Sequence, residues 1–434
     1  MPASDIGLVA VEELFTDLMV DEEWAEWRPR GFSWWSHRLA QHIEASPPVI
    51  VGGREVCEVR VWTDVARDVE EAREPLKWLS LTNMRATLSA LIWDPTNQKI
   101  ADCCSVMVHA GNLSWVRKVL PLAAIMQNAA AHSRAQAIAE VLAGNPDTSE
   151  HPESGERPFG DDMLNAPLEI VNTSKSKFVG TMTRRLEALA GRVGLVGFSS
   201  QTEFSCELPF AGVMPVGALN DDGHVETSLL QVFSDAEHPD YGPGALMTLS
   251  LPARLKGHDL SEVSNNLNRL EFIDLDHALG TDSLNGARQF TLTGAWCPDP
   301  RSKERDRVAF NTFVPSVLAR PGILENFFLY QILRSRFAAS QLTVLDVSGA
   351  TDSDFGEAAD WALLEAITSK SDKETPSVLE ALWIAEKGKN AAAEARQIAT
   401  AVIAATRQVA AQRRVQPQQV QATTWFTAVA DGAG

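Results

Sequence analysis

TLSALIWDP, residues 87–95, returns in the second half of the chain as TLTGAWCPDP, residues 291–300. Each phrase joins a Thr-Leu-hydroxyl start to a small or apolar run, a Trp and an Asp-Pro. Asp-Pro among polar neighbours is turn chemistry, because Pro cannot continue a central strand. The segments downstream of the two phrases share one order. After Trp93 come the polar DPTNQK, the apolar IADCCSVMVHAG and the long helical stretch LSWVRKVLPLAAIMQNAAAHSRAQAIAEVL. After Trp296 come CPDPRSKERDR, VAFNTFVPSVLA and RPGILENFFLYQILRSRFAAS. Strand, turn, strand, helix is predicted twice.

Local chemistry supports each element. In RQFTLTGAW, Phe290, Leu292 and Trp296 alternate with polar or small residues, as in a half-buried strand. Pro321 stands at the start of the second closing helix, where its missing N–H costs nothing. Superposing Arg134 on Arg336 brings Pro121 within about two positions of it, which predicts a helix starting at Pro121. Upstream, VCEVRVWTDV places Cys57, Val59, Val61, Thr63 and Val65 on one face, and Glu58, Arg60, Trp62 and Asp64 on the other. That is a strand of an antiparallel sheet covered on one side. VETSLLQVF and GALMTLSLPARL are the second copy's strands, and DLSEVSNNLNRLEFI is a helix capped by Asp259 or Ser261.

The expected fold class is α+β: two related antiparallel-sheet-plus-helix domains followed by an α-helical C-terminal extension. The first domain covers 1–143, the second 163–345, and the extension with a polar, Gln-rich tail covers 346–434. Between the domains, residues 144–162 are rich in Pro, Gly and acid, the composition of a linker. Matching element order over this length indicates a tandem duplication.

The order of helix, antiparallel strands, Asp-Pro hairpin and closing helix resembles the YbjN-like group, whose fold is similar to type III secretion chaperones. HPDYGPGALMTLSLP with the helix after it, FTLTGAWCPDP and VAFNTFVP carry the resemblance. It covers roughly residues 15–140 and 165–340 as a two-copy version, as in actinobacterial proteins. The resemblance implies an α+β sandwich, frequent dimerisation and protein binding without catalysis. The third, helical region has no counterpart in that group.

Composition narrows function by exclusion. At 434 residues with 45% hydrophobic and 22% charged, the chain is an ordinary globular protein. The net charge of −19 repels phosphate backbones, which disfavours nucleic acid. No run of about 18 apolar residues marks a membrane span, and the acidic start lacks a signal peptide's basic region. Five cysteines without CxxC spacing suit reduced thiols, so a cytoplasmic location is expected.

EWAEWRPRGFSWWSHRLAQHI is the strongest candidate for a partner surface: Trp24, Trp27, Trp34 and Trp35 with Arg28 and Arg30. Trp and Arg dominate binding hot spots because each buries a large area and keeps a donor. The alternative is that these tryptophans pack an N-terminal helix onto its sheet. The segment Glu386–Arg414 carries a net charge of +4 in an acidic protein, with Lys387, Lys389, Arg396 and Arg407 among its cations. Such an Ala-rich helix can dock on its own body, on an acidic partner or on anionic lipid, or stay solvated.

Catalytic and metal motifs are wanting. Cys103 and Cys104 are adjacent, hence on opposite faces of a strand, and His109 lies about 20 Å along from Cys103. No metal and no cofactor are expected. Asp354–Gly356 (DFG) has no glycine-rich loop or HRD segment to accompany it, and Val51–Val56 is a turn. Asp21-Glu22-Glu23, Asp161-Asp162 and Asp221-Asp222 read as solvated charge. The expected function is non-enzymatic protein binding, chaperone-like or adaptor-like. The alternatives are an enzyme or small-molecule site between the copies, with a carboxylate or His of perturbed pKa, and a self-assembling subunit.

Overall fold

Each of the two phrases forms the inner edge of its own antiparallel sheet. The computed structural model describes residues 5–51, 54–167, 175–180, 182–192, 195–208, 227–253, 259–272, 291–302 and 306–348. The helical extension predicted over 346–434, with Lys387, Lys389, Arg396 and Arg407, lies outside the described residues apart from the last turn of its preceding helix.

The first unit runs α1 (Ile6–Asp17), β1 (Ala25–Arg28), β2 (Gly31–Trp35), β3 (Ala40–Ala45), β4 (Val49–Val51), β5 (Arg54–Arg67), α2 (Pro75–Asn83), β6 (Ala90–Asp94), β7 (Lys99–His109), α3 (Leu113–Val141) and the short β8 (Asn145–Pro146). The second runs α4 (Met182–Arg192), β9 (Gly197–Ser199), β10 (Glu203–Leu208), β11 (Ser228–His238), β12 (Gly242–Pro252), α5 (Leu260–Phe272), β13 (Ala295–Pro298), β14 (Arg307–Pro315) and α6 (Ile323–Ser348). The first sheet is ordered β1-β2-β3-β5-β7-β6, with β4 and β8 as side pairings on β5. The second is ordered β9-β10-β11-β12-β14-β13. Apart from β4 and β8, these described elements follow one α+β order twice.

Register fixes which residues correspond. Leu91 faces Asp102 and Trp296 faces Phe310. Asp94 pairs with Lys99, and Asp299 N–H donates to Arg307 O at 2.9 Å. Both Asp-Pro turns use one device: Asp94 Oδ1 accepts from Thr96 N–H at 3.0 Å, and Asp299 Oδ1 from Arg301 N–H at 2.9 Å. The counterpart of Trp296 is therefore Leu91 and not Trp93. A slip of two residues keeps the same face, so alternation alone does not reveal it.

The units are joined by a reciprocal crossing. Beyond Cys103, β7 has no further β6 partner, and Ser105 N–H donates instead to Leu292 O of the second unit at 3.0 Å. Symmetrically, Phe313 N–H on β14 donates to Thr87 O of the first unit at 3.2 Å. By register, Ser105 corresponds to Phe313 and Thr87 to Leu292. The chain returns to its own sheet at Gly294, whose φ is +153° and where a Cβ would stand 2.2 Å from Asn311 O. Only glycine fits that turn. Behind the crossing, Trp115 of α3 packs edge-on against Phe327 of α6 at 5.3 Å and against Tyr330 at 5.6 Å. Buried residues of both units form one continuous apolar cluster.

One local expectation changes and one is decided. Pro121 lies inside α3, which already starts at Leu113. Asp259 is the cap of α5, with Oδ1 accepting from Ser261 N–H at 2.8 Å. Residues 144–162 run along the first sheet. Asp147 N–H donates to Val65 O, Ser149 N–H to Arg38 O and Asp161 N–H to Ser36 O, and Arg157 donates to Trp35 O at 2.9 Å. No helix among the described residues is long and apolar enough to cross a membrane.

Candidate functional site

The Trp/Arg stretch is a β-hairpin, not part of an N-terminal helix. A short helical turn at Glu22–Trp24 leads into β1, and β1 returns through Pro29 and Arg30 into β2. The backbones approach so closely here that a Cβ on Gly31 would stand 1.9 Å from Ile43 O. The hairpin divides the candidate residues. Trp34 and Trp35 are buried, and Trp35 Nε1 donates to Ser149 Oγ at 3.0 Å. Arg30 pairs with Asp5 at 2.8 Å and donates to Ala45 O and Ser46 O, so it fastens α1 to the sheet. Trp24 faces His151 and lies under the Arg157 guanidinium. These four hold the fold together.

Trp27 and Arg28 remain on the surface. Trp27 is 52% exposed, resting on Phe15 (4.7 Å) and Phe32 (5.4 Å). Glu26 and Arg28 on either side are exposed as well. Backbone geometry adds to this. Ala45 N–H donates to Arg30 O just outside the Gly31–Glu44 pair, so Gly31 turns its own N–H and C=O toward β1. Gly31 faces Arg28. The bonded positions of β1 are thus Arg28 and Glu26, and the N–H and C=O of Trp27 point out of the sheet. β1 pairs only with β2 among the described residues. An outward donor and acceptor beside a half-exposed Trp can accept one more strand.

A second cluster lies inside the first unit. The face of its sheet that meets α3 carries Gln41, Thr63 and Asp102 side by side. Gln127 of α3 joins them: Gln41 Nε2 donates to Gln127 Oε1 at 2.7 Å, Thr63 Oγ1 donates to it at 3.3 Å, and Gln127 Nε2 donates to Asp102 O at 2.8 Å. By register, the second unit has Leu230, Leu249 and Phe310 at these positions. The fold itself is therefore satisfied by apolar residues there. Asp102 is buried, its Oδ1 has no hydrogen-bond partner, and burial pushes its carboxyl up to about 6.

Next to this row the second unit supplies the β11–β12 hairpin. His238 Nδ1 accepts from Asp240 N–H and its Nε2 donates to Arg85 O of the first unit, both at 3.0 Å. These bonds require the neutral ring, and burial lowers its pKa to about 4. Asp240 lies 3.8 Å from Arg134, and burial pushes the Tyr241 hydroxyl up to about 12. None of this was visible as a motif, since the residues come from six separate elements.

Cys103 and Cys104 lie on β7 as expected, both buried, and His109 is buried at its end. Asp5, Glu55 and Cys57 bring one ligand atom each within 4.8 Å of one another. Those atoms already have work: Asp5 caps α1 and pairs with Arg30, and Glu55 accepts from Ile6 N–H at 3.0 Å. No family model, curated protein or solved structure matches the chain. The YbjN-like resemblance stands on the element order of the sequence alone.

Proposed function

We propose that the protein is a non-enzymatic polypeptide-binding protein, chaperone-like or adaptor-like, that takes an extended segment as an added antiparallel strand on β1. The observation that carries this is Trp27: half-exposed, flanked by Glu26 and Arg28, with its backbone donor and acceptor directed outward. Strand addition draws affinity from main-chain hydrogen bonds and specificity from alternate side chains. The reciprocal crossing supports the reading by burying the inner edges, with β1 and the three-residue β9 at the outer ends of the two strand orders.

A photo-crosslinking residue in place of Glu26 tests it in the native host. A discrete crosslinked polypeptide is expected, lost when Trp27→Lys is added. The same probe at Val141, equally exposed at 52% but on α3, should give none. No product at position 26, or the same product at 141, would defeat the proposal.

A second reading, a small molecule held between the units, draws on Asp102, whose unpaired carboxylate oxygen replaces what is Phe310 in the other copy. Polar groups that the fold does not need mark functional positions. A ligand that raises the melting temperature of the wild type but not of Asp102→Asn would support it. Equal shifts in both would rule it out.

A further inference from the structure

We infer that the strand received by β1 is β1 of a second copy of this chain, paired about a two-fold axis through Trp27. The inference rests on the strand-addition reading and names its partner. The outward positions of β1 are Ala25, whose N–H is already given to Glu22 O, and Trp27, so an added antiparallel β1 must set outward residues against outward residues. Three registers satisfy that. In one, Ala25 faces Ala25 and no other residue of β1 finds a partner. In another, Ala25 faces Trp27 and Glu26 faces Glu26 of the other copy. In the third, Trp27 faces Trp27, and Glu26 faces Arg28 at two symmetric places. Only this register pairs opposite charges, and it does so twice.

An isologous contact demands this kind of self-complementarity. Across the axis, each Trp27 N–H meets the other Trp27 C=O. Glu26 and Arg28 occupy the adjacent non-bonded pairs, where side chains approach most closely. The two indoles lie together on the opposite face, each already resting on its own Phe15. The product is one continuous sheet through both copies.

Sedimentation velocity of the full chain over a concentration series tests this with charge reversals at two exposed positions. Wild type is expected to move toward twice the monomer mass as concentration rises. Glu26→Arg alone and Arg28→Glu alone each set like charges opposite at both places, and each should weaken association about ten-fold or more. Mixing the two single variants restores both pairs in a heterodimer, so the mixture should associate where neither variant does alone. Circular dichroism unchanged from wild type confirms that each variant folds. A wild type monomeric throughout, or a dimer indifferent to the reversals, overturns the inference. The two proposals part company in the crosslinking experiment. A monomeric chain that still crosslinks a different polypeptide at position 26 removes the second copy but keeps the strand-accepting edge. A monomeric chain with no crosslink removes both.

Discussion

Asn265 of the second unit grips the backbone of Trp93 in the first from both sides. Its Nδ2 donates to Trp93 O at 3.1 Å, and its Oδ1 accepts from Trp93 N–H at 3.0 Å. Asn83 does the same for Leu91, and Asn268 for Trp296. Side-chain amides thus take the place of a neighbouring strand along the two inner edges. They satisfy backbone groups that burial would otherwise leave orphaned.

Asn265→Ala should therefore cost more than an ordinary surface change. It strands one buried N–H and one buried C=O, at about 1–3 kcal/mol each. Urea denaturation should show the midpoint falling with little change in slope. Asn265→Asp keeps the acceptor for Trp93 N–H but buries a charge and sets an oxygen against Trp93 O, so a loss at least as large is expected. A cost for Asn265→Ala within error of zero would mean that water replaces the amide.

Glu271 and Arg334 form a fully buried pair at 2.9 Å. Glu271 also accepts from Trp296 Nε1 at 2.7 Å, and the Arg334 guanidinium lies 3.6 Å over the Phe310 ring. Removing one partner leaves an unpaired buried charge and costs roughly 3–5 kcal/mol. Glu271→Leu with Arg334→Met should cost much less than the sum of the single changes. A double-mutant cycle with additive costs would contradict this.

Asp102 gives a pH-dependent prediction of definite sign. Burial raises its folded pKa from 3.8 to about 6, so the folded state holds its proton more tightly than the unfolded chain. Its stabilising share is complete below about pH 4 and is lost as pH rises through 6. Asp102→Asn should then stabilise the protein at pH 7 by about 1–3 kcal/mol, with the gain shrinking toward zero near pH 4. A variant less stable than wild type at pH 7 would mean that the carboxylate's interactions, its hydrogen bond with Ser89 among them, outweigh its burial.

The histidines act in the opposite sense. Burial lowers His42, His132 and His238 from 6.5 to about 4. The unfolded chain binds protons that the folded one refuses between those values, so stability falls as pH drops from 6.5 to 4. Each contributes a slope of at most about 1.4 kcal/mol per pH unit. Replacing all three with Gln should flatten the wild-type slope in that window. An unchanged slope would assign acid sensitivity to other groups.

All five cysteines are free and buried, and burial raises the thiol pKa of each, that of Cys57 to about 12. A chromogenic disulfide reagent at pH 8 should leave the native protein unlabelled and titrate five thiols after denaturation. Rapid labelling of any native thiol would place it at the surface.

How much of this the sequence revealed depends on what each residue needs from distant partners. The β5 alternation and both Asp-Pro hairpins were legible because strand period and turn chemistry are local. Trp24–Trp35 misled because tryptophans spaced as on a helix fall equally well on a tight hairpin. The turn at Pro29-Arg30 is betrayed only by the Pro and by Gly31. Pro121 misled for a similar reason: Pro signals a helix start, yet α3 accommodates it within its length. The roles of Asn83, Asn265 and Asn268 were hidden, since a helical Asn reads as solvated until an edge strand lies against it. Gln41, Thr63 and Asp102 sit on three strands, and only the register makes them neighbours.

The open edge is tested most directly by residue-resolved hydrogen exchange along β1 in dilute protein. The outward amide of Trp27 should exchange fast while those of Glu26 and Arg28 are protected, Ala25 N–H being held by Glu22 O, and Trp27 should slow as concentration rises. Protection of the Trp27 amide at the lowest concentration would show that the edge is already covered, and would contradict the account.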